Sequence, residues 1–138
     1  MLSNLSGKKI ILGVTGGIAV YKACELARLF KKNGAEVRVV MTEAAVEFVA
    51  PLTFETLTNE PVHSQMFEKA RNTSVEHIAL SRWADLIVVA PATANTLAKI
   101  SAGMADNLLT TVVLSRRPAV PLLVAPAMNV EMWQSPLT

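Results

Sequence analysis

The sequence predicts a three-layer α/β sandwich, a Rossmann- or flavodoxin-like parallel sheet, formed by all 138 residues as a single domain. Three observations carry this. Four apolar runs, "KKIILGVTG", "AEVRVVMT", "DLIVVAPAT" and "VPLLVAPAM", are continuous rather than alternating, as in strands buried on both faces. Segments of helical spacing separate them, so each crossover returns the chain to a parallel neighbour. Each run also ends in small or hydroxyl residues ("GVTGGIA", "MTEAA", "APATANT", "APAMN"), at the strand ends where open α/β sheets bind ligands.

The first run ends in glycines and reads as a buried strand. The helix after it is expected to pack through Ile18, Tyr21, Ala23 or Cys24, Ala27 and Phe30, with Lys31 and Lys32 in its last turn and Gly34 as its stop. The second strand closes at Thr42. Helical pattern returns in "EAAVEFVA", breaks before Pro51 and resumes in "TFETLTNE". Strands three and four flank two further helices, "ANTLAKISAG" and "DNLLTTVVLSRR", the second with Asp106 as the expected N-cap.

Composition narrows the function classes. Apolar residues make up 51% and charged residues 17%, which excludes a disordered chain. The net charge of +2 comes from scattered basic residues, and aromatic residues are only 5%, so a nucleic-acid surface is not expected. The one cysteine, Cys24, suits a reducing compartment, and no apolar stretch is long enough to span a bilayer; a cytoplasmic chain is expected.

The turn "GVTGGIAVYK" at 13–22 matches neither common phosphate fingerprint. Lys22 lacks the preceding glycine and following hydroxyl of a Walker A loop, and the glycines at 13, 16 and 17 miss the dinucleotide spacing. The second strand also ends in Thr42 rather than in a ribose-gripping acid. A glycine turn with Thr15, opening onto a helix N-terminus, fits a single phosphate and equally fits a tight packing turn. His63 lies in no recognisable motif and reads as a surface or packing residue; His77 alone reads as a helix-surface or capping residue.

Four segments in order, "GVTGGIAVYK", "MTEAA", "HIALSRWADLIVVAPATANTLAKISAGMADNLL" and "PAMNVEMW", resemble the homo-oligomeric flavin-containing cysteine decarboxylases over nearly the whole chain. The branch acting on 4'-phosphopantothenoyl-L-cysteine is the most similar. The resemblance implies FMN as cofactor, no metal, and a homotrimer or higher oligomer with the site shared between subunits. Thr15, Gly16, Gly17 and Ile18 would surround the phosphate and ribityl end, with a further hydroxyl from Thr42. Ala92, Thr93 and Asn95 would lie along the flavin ring, and Met104, Ala105 and Asp106 would complete its pocket, partly from a neighbouring subunit. His77 would be the catalytic histidine, as base or substrate orienter. Asn129 would hold the substrate carboxylate beside Met128.

The same resemblance places a proton-donating cysteine on a flap well beyond the "PAMN" segment. Cys24 is not in that context, so the 138 residues are expected to be a fragment of a longer chain, in which a ligase domain can follow. Two other functions share the scaffold: a peptidyl-cysteine decarboxylase of lantibiotic maturation, and a non-catalytic flavin-binding regulatory subunit.

Overall fold

A computed structural model describes residues 4–64 and 73–138. Strand β1 (Lys9–Val14) leads through helix α1 (Val20–Lys32) to β2 (Glu36–Met41). Helices α2 (Glu43–Phe48), α3 (Pro51–Thr58) and α4 (Thr73–Trp83) precede β3 (Leu86–Ala92). Helices α5 (Ala94–Ala102) and α6 (Leu108–Ser115), strand β4 (Leu122–Pro126) and a single turn of helix α7 (Val130–Trp133) complete the chain. The sheet order is β2-β1-β3-β4, with every pairing parallel, which is the flavodoxin-like arrangement expected.

Two apolar layers cover the sheet. Ile10, Leu12, Val14, Val37, Val39 and Met41 face the side carrying α1 and α3, where Phe54 is fully buried. Ile11, Val40, Ile87 and Val89 face α4 and α6, against Leu80, Leu108, Leu109 and Val112. Residues two apart in a strand point to the same face, so each run divides between the layers and must be apolar throughout. A fully buried Leu or Ile contributes about 1.5–3 kcal/mol, so these two layers dominate the stability.

Several elements differ from expectation. The buried stripe of α1 is Val20, Ala23 and Ala27, whereas Ile18 is 78% exposed and Tyr21 61% exposed. Residues 18 and 19 precede the first helical turn, so the 3.6-residue phase counted from Ile18 begins too early. The cap of α6 is Asn107, not Asp106: its Oδ1 accepts the Thr110 N–H at 2.8 Å, and Thr110 Oγ1 accepts the Asn107 N–H in return. Strand β4, read as fully covered, lies at the sheet edge with Leu123 57% exposed. Pro51 starts α3 instead of merely separating two helices, because its missing N–H costs nothing in a first turn.

Candidate functional site

The topological switch point falls between β1 and β3, because the chain leaves β1 toward β2 on one side and reaches β3 on the other. The loops beyond these two strands are tied together by Thr15. Its hydroxyl is 1% exposed, donates to the Pro91 carbonyl and accepts the Thr93 N–H at 3.0 Å. Proline lacks an N–H and gives a ladder no donor, and the Pro91 carbonyl is taken by the Thr15 hydroxyl. Thr15 thus holds the site's two walls at a fixed separation.

The neighbouring glycines have different reasons for being glycine. A Cβ on Gly16 would lie 2.4 Å from the Ala44 Cβ, so the β1 loop and the start of α2 touch backbone to side chain. A Cβ on Gly17 would meet nothing closer than Thr93 Cγ2 at 3.9 Å, so that face is open to a ligand. Among the described residues the N–H groups of Gly16, Gly17 and Ile18 donate to no other group. They precede α1, which has no side-chain cap and no acidic residue in its first turn. The positive end of the helix dipole is therefore left for an anion.

Two clefts of about 470 and 660 Å³ open here, with Gly16, Thr93 and Asn95 in both linings. That range suits a cofactor or small substrate. The smaller adds Thr42, Glu43, Ser64, Lys99 and Asp106; the larger adds Gly17, Ile18, Ala127, Met128 and Asn129. Thr42 and Thr93 are both helix caps, their hydroxyls accepting the N–H of Ala45 and of Thr96 at 3.2 Å each. Lys99 Nζ lies 2.9 Å from Asp106 Oδ2. Asn129 caps α7 through Oδ1, which accepts the Met132 N–H at 2.8 Å. Its Nδ2 has no partner among the described residues and remains to donate to a ligand.

The structure thus gathers Gly16, Gly17, Ile18, Thr42, Thr93, Asn95, Asp106, Met128 and Asn129 around one trough, with Thr15 buried behind it. Ala92 is wholly buried, its carbonyl accepting the Ala127 N–H, and Ala105 lines neither cleft. Met104 faces a separate hollow of about 90 Å³ beside α6. His77, on α4, lines neither cleft of its own chain. Lys99 and Ser64, both lining the smaller cleft, were not expected there, whereas Asn107 lies in the segment expected to complete the flavin pocket. Lys99 had a signal, lying four residues after Asn95 on one helix face; Ser64 reaches the cleft only because residue 63 pairs with the edge of β2. Burial raises the pKa of the Cys24 thiol above its usual value, so the thiol is protonated at neutral pH.

Comparison with known proteins matches this geometry to relatives. The chain is 48% identical over 137 residues to the coenzyme A biosynthesis bifunctional protein CoaBC of Vibrio vulnificus. The match covers 99% of this chain and 34% of that protein, so the chain spans about a third of the length of the curated relatives it matches. The FMN-dependent cysteine decarboxylase SpaF superposes with a TM-score of 0.86 at 32% identity, covering 96% of this chain and 75% of SpaF. PPC decarboxylase complexed with pantothenoylaminoethenethiol superposes at 0.79 with 36% identity, over 94% of this chain and 72% of that one. The Flavoprotein family profile matches residues 1–138. The chain therefore belongs to the Flavoprotein family, in the company of flavin-dependent cysteine decarboxylases.

Proposed function

We propose that this domain binds FMN and decarboxylates 4'-phosphopantothenoyl-L-cysteine to 4'-phosphopantetheine, as a carboxy-lyase of coenzyme A biosynthesis acting in the cytoplasm. The observation that carries the reading is the open face of Gly17 beside three uncommitted N–H groups, at the mouth of a trough that ends at Asn129. A monophosphate fits that helix terminus. A flavin ring fits between the small residues after β3 and the apolar wall of Ala127 and Met128.

When bound, FMN would supply reversible two-electron oxidation of the substrate's thiol-bearing carbon, which gives the electron pair left by CO2 a place to delocalise, and would return the two electrons so that the product is the saturated thiol. Asn129 Nδ2 donates to the substrate carboxylate, because Oδ1 is committed to the α7 cap. Met128 and Met132 present thioether and methylene surface that displaces water from the carboxylate. Loss of CO2 removes a charge, so a dry wall favours the step over the bound ground state. His77 acts as base or substrate orienter, since an imidazole can both accept and donate a hydrogen bond. Because it lines neither cleft of its own chain, we assign it to a neighbouring subunit's trough in a homotrimer or larger assembly.

The identity to the coenzyme A biosynthesis bifunctional protein CoaBC favours the phosphopantothenoyl substrate. The higher TM-score with SpaF supports a second reading, decarboxylation of a peptidyl cysteine. The deciding experiment incubates the purified protein with FMN, records its visible spectrum, and measures CO2 from phosphopantothenoylcysteine and from a peptide ending in cysteine. A flavin spectrum with CO2 from the first substrate alone is expected. No flavin spectrum overturns the cofactor, and CO2 from the peptide alone reassigns the substrate.

A further inference from the structure

We infer that His63 is a positioning residue for the reaction, its hydrogen bond with Glu76 fixing the first turn of α4 and thereby the placement of the adjacent His77. The inference rests on the decarboxylase reading above. His63 is anchored by its own backbone beyond the edge of β2: its N–H donates to the Val39 carbonyl at 3.0 Å, and its carbonyl accepts the Met41 N–H at 2.9 Å. From that fixed point the imidazole Nδ1 reaches Glu76 Oε1 at 2.5 Å. A carboxylate can only accept, so Nδ1 carries the proton. The two side chains are 20% and 12% exposed, so the contact is largely shielded from water and salt. His63 is thus neither the loose surface residue nor the packing residue that its sequence context suggests.

The other end of the same helix is held on the same strand. The Arg38 guanidinium of β2 lies over the Trp83 ring, 4.3 Å from its centroid. Glu76 and Trp83 are seven residues apart, roughly 10 Å along the helix. Their partners sit on β2 and on its edge at Val40, so α4 is clamped at both ends against one sheet edge. Between the clamps, Leu80 is the large apolar side chain fully buried against the sheet, and Ala79 and Arg82 are exposed. Apolar packing through Leu80 is not directional, whereas a hydrogen bond from a backbone-anchored side chain holds the helix face in one orientation. Ser64, the next residue, lines the smaller cleft, so the His63 anchor also fixes part of that wall.

The test uses His63→Leu, which keeps volume but removes the donor, and His63→Asn, whose Nδ2 can donate in place of Nδ1. His63→Leu is expected to lower kcat for CO2 release about tenfold with KM and the bound-flavin spectrum unchanged, and His63→Asn to stay within about threefold of the parent. The chain has two histidines, so in either variant the remaining imidazole nitrogen signals belong to His77. These signals are expected at parental positions in His63→Asn and to be shifted or broadened in His63→Leu. Should His63→Leu fail to fold, Glu76→Ala removes the contact from the helix side, and the Glu76→Ala/His63→Asn double variant must lose no more than Glu76→Ala alone. Parental kcat together with unmoved His77 signals in His63→Leu overturns the proposal. If the parent protein releases no CO2, the functional reading fails by itself and the imidazole signals still decide the role of His63.

Discussion

Thr15 Oγ1 accepts the backbone N–H of Thr93 across 78 positions of sequence, and this bond joins the loop after β1 to the loop after β3. Both loops line the trough, so a side chain that touches no ligand sets the distance between the walls that do.

Replacing Thr15 with Val keeps the shape and strands two buried groups, the Pro91 carbonyl and the Thr93 N–H. A loss of about 2 kcal/mol in unfolding free energy is expected, read by urea denaturation, with FMN bound more weakly. Thr15→Ser, which keeps the hydroxyl, is expected to recover most of both. Equal stability of the Val variant and the parent contradicts the staple.

Adjacent glycines are expected to respond in opposite ways. Gly16→Ala drives a Cβ into Ala44 and is expected to cost about 1–3 kcal/mol by overpacking. Gly17→Ala meets open space, so its folding free energy stays within about 1 kcal/mol of the parent. Its added methyl instead occupies ligand space, and FMN affinity falls roughly tenfold or more. Flavin titration beside thermal melts separates the two effects.

Asn129→Asp preserves the α7 cap, since either oxygen can accept the Met132 N–H. It removes the amide donor and sets a negative charge against the substrate carboxylate. The fold and FMN binding are expected to persist while kcat/KM falls roughly 10- to 150-fold, the loss of a charge-assisted hydrogen bond. Parental turnover in this variant removes Asn129 from the carboxylate site.

Burial raises the pKa of the Cys24 thiol, so the folded state ionises it at higher pH than the unfolded state does. The resulting contribution is fully present below the unfolded value and is lost as pH rises through the folded one. Stability is therefore expected to decline above about pH 9, near the ordinary thiol value of 9.0. Labelling by a disulfide reagent at pH 8 is expected to be slow in the native protein and fast in denaturant. Cys24→Ala, with no thiol to ionise, flattens the alkaline limb.

Periodicity and strand-end chemistry by themselves determined the parallel sheet, its four strands and the four strand-end segments that meet at the site. Those features follow from burial on two faces and from the small residues a ligand needs, both of which leave a local imprint. The sequence also carried the capping role of Asn107, through its spacing to Thr110, although the acid beside it reads as the stronger cap. Only the tertiary structure decided which hydroxyls face a ligand and which are spent holding walls together. Thr15 and Thr93 look alike in sequence, but one is buried between two loops and the other caps a helix at the cleft. Nor does anything local mark His63 and Glu76 as partners. Their contact exists because residue 63 pairs with the edge of β2 and α4 folds back over it, and a bond between groups 13 positions apart is set by that packing alone.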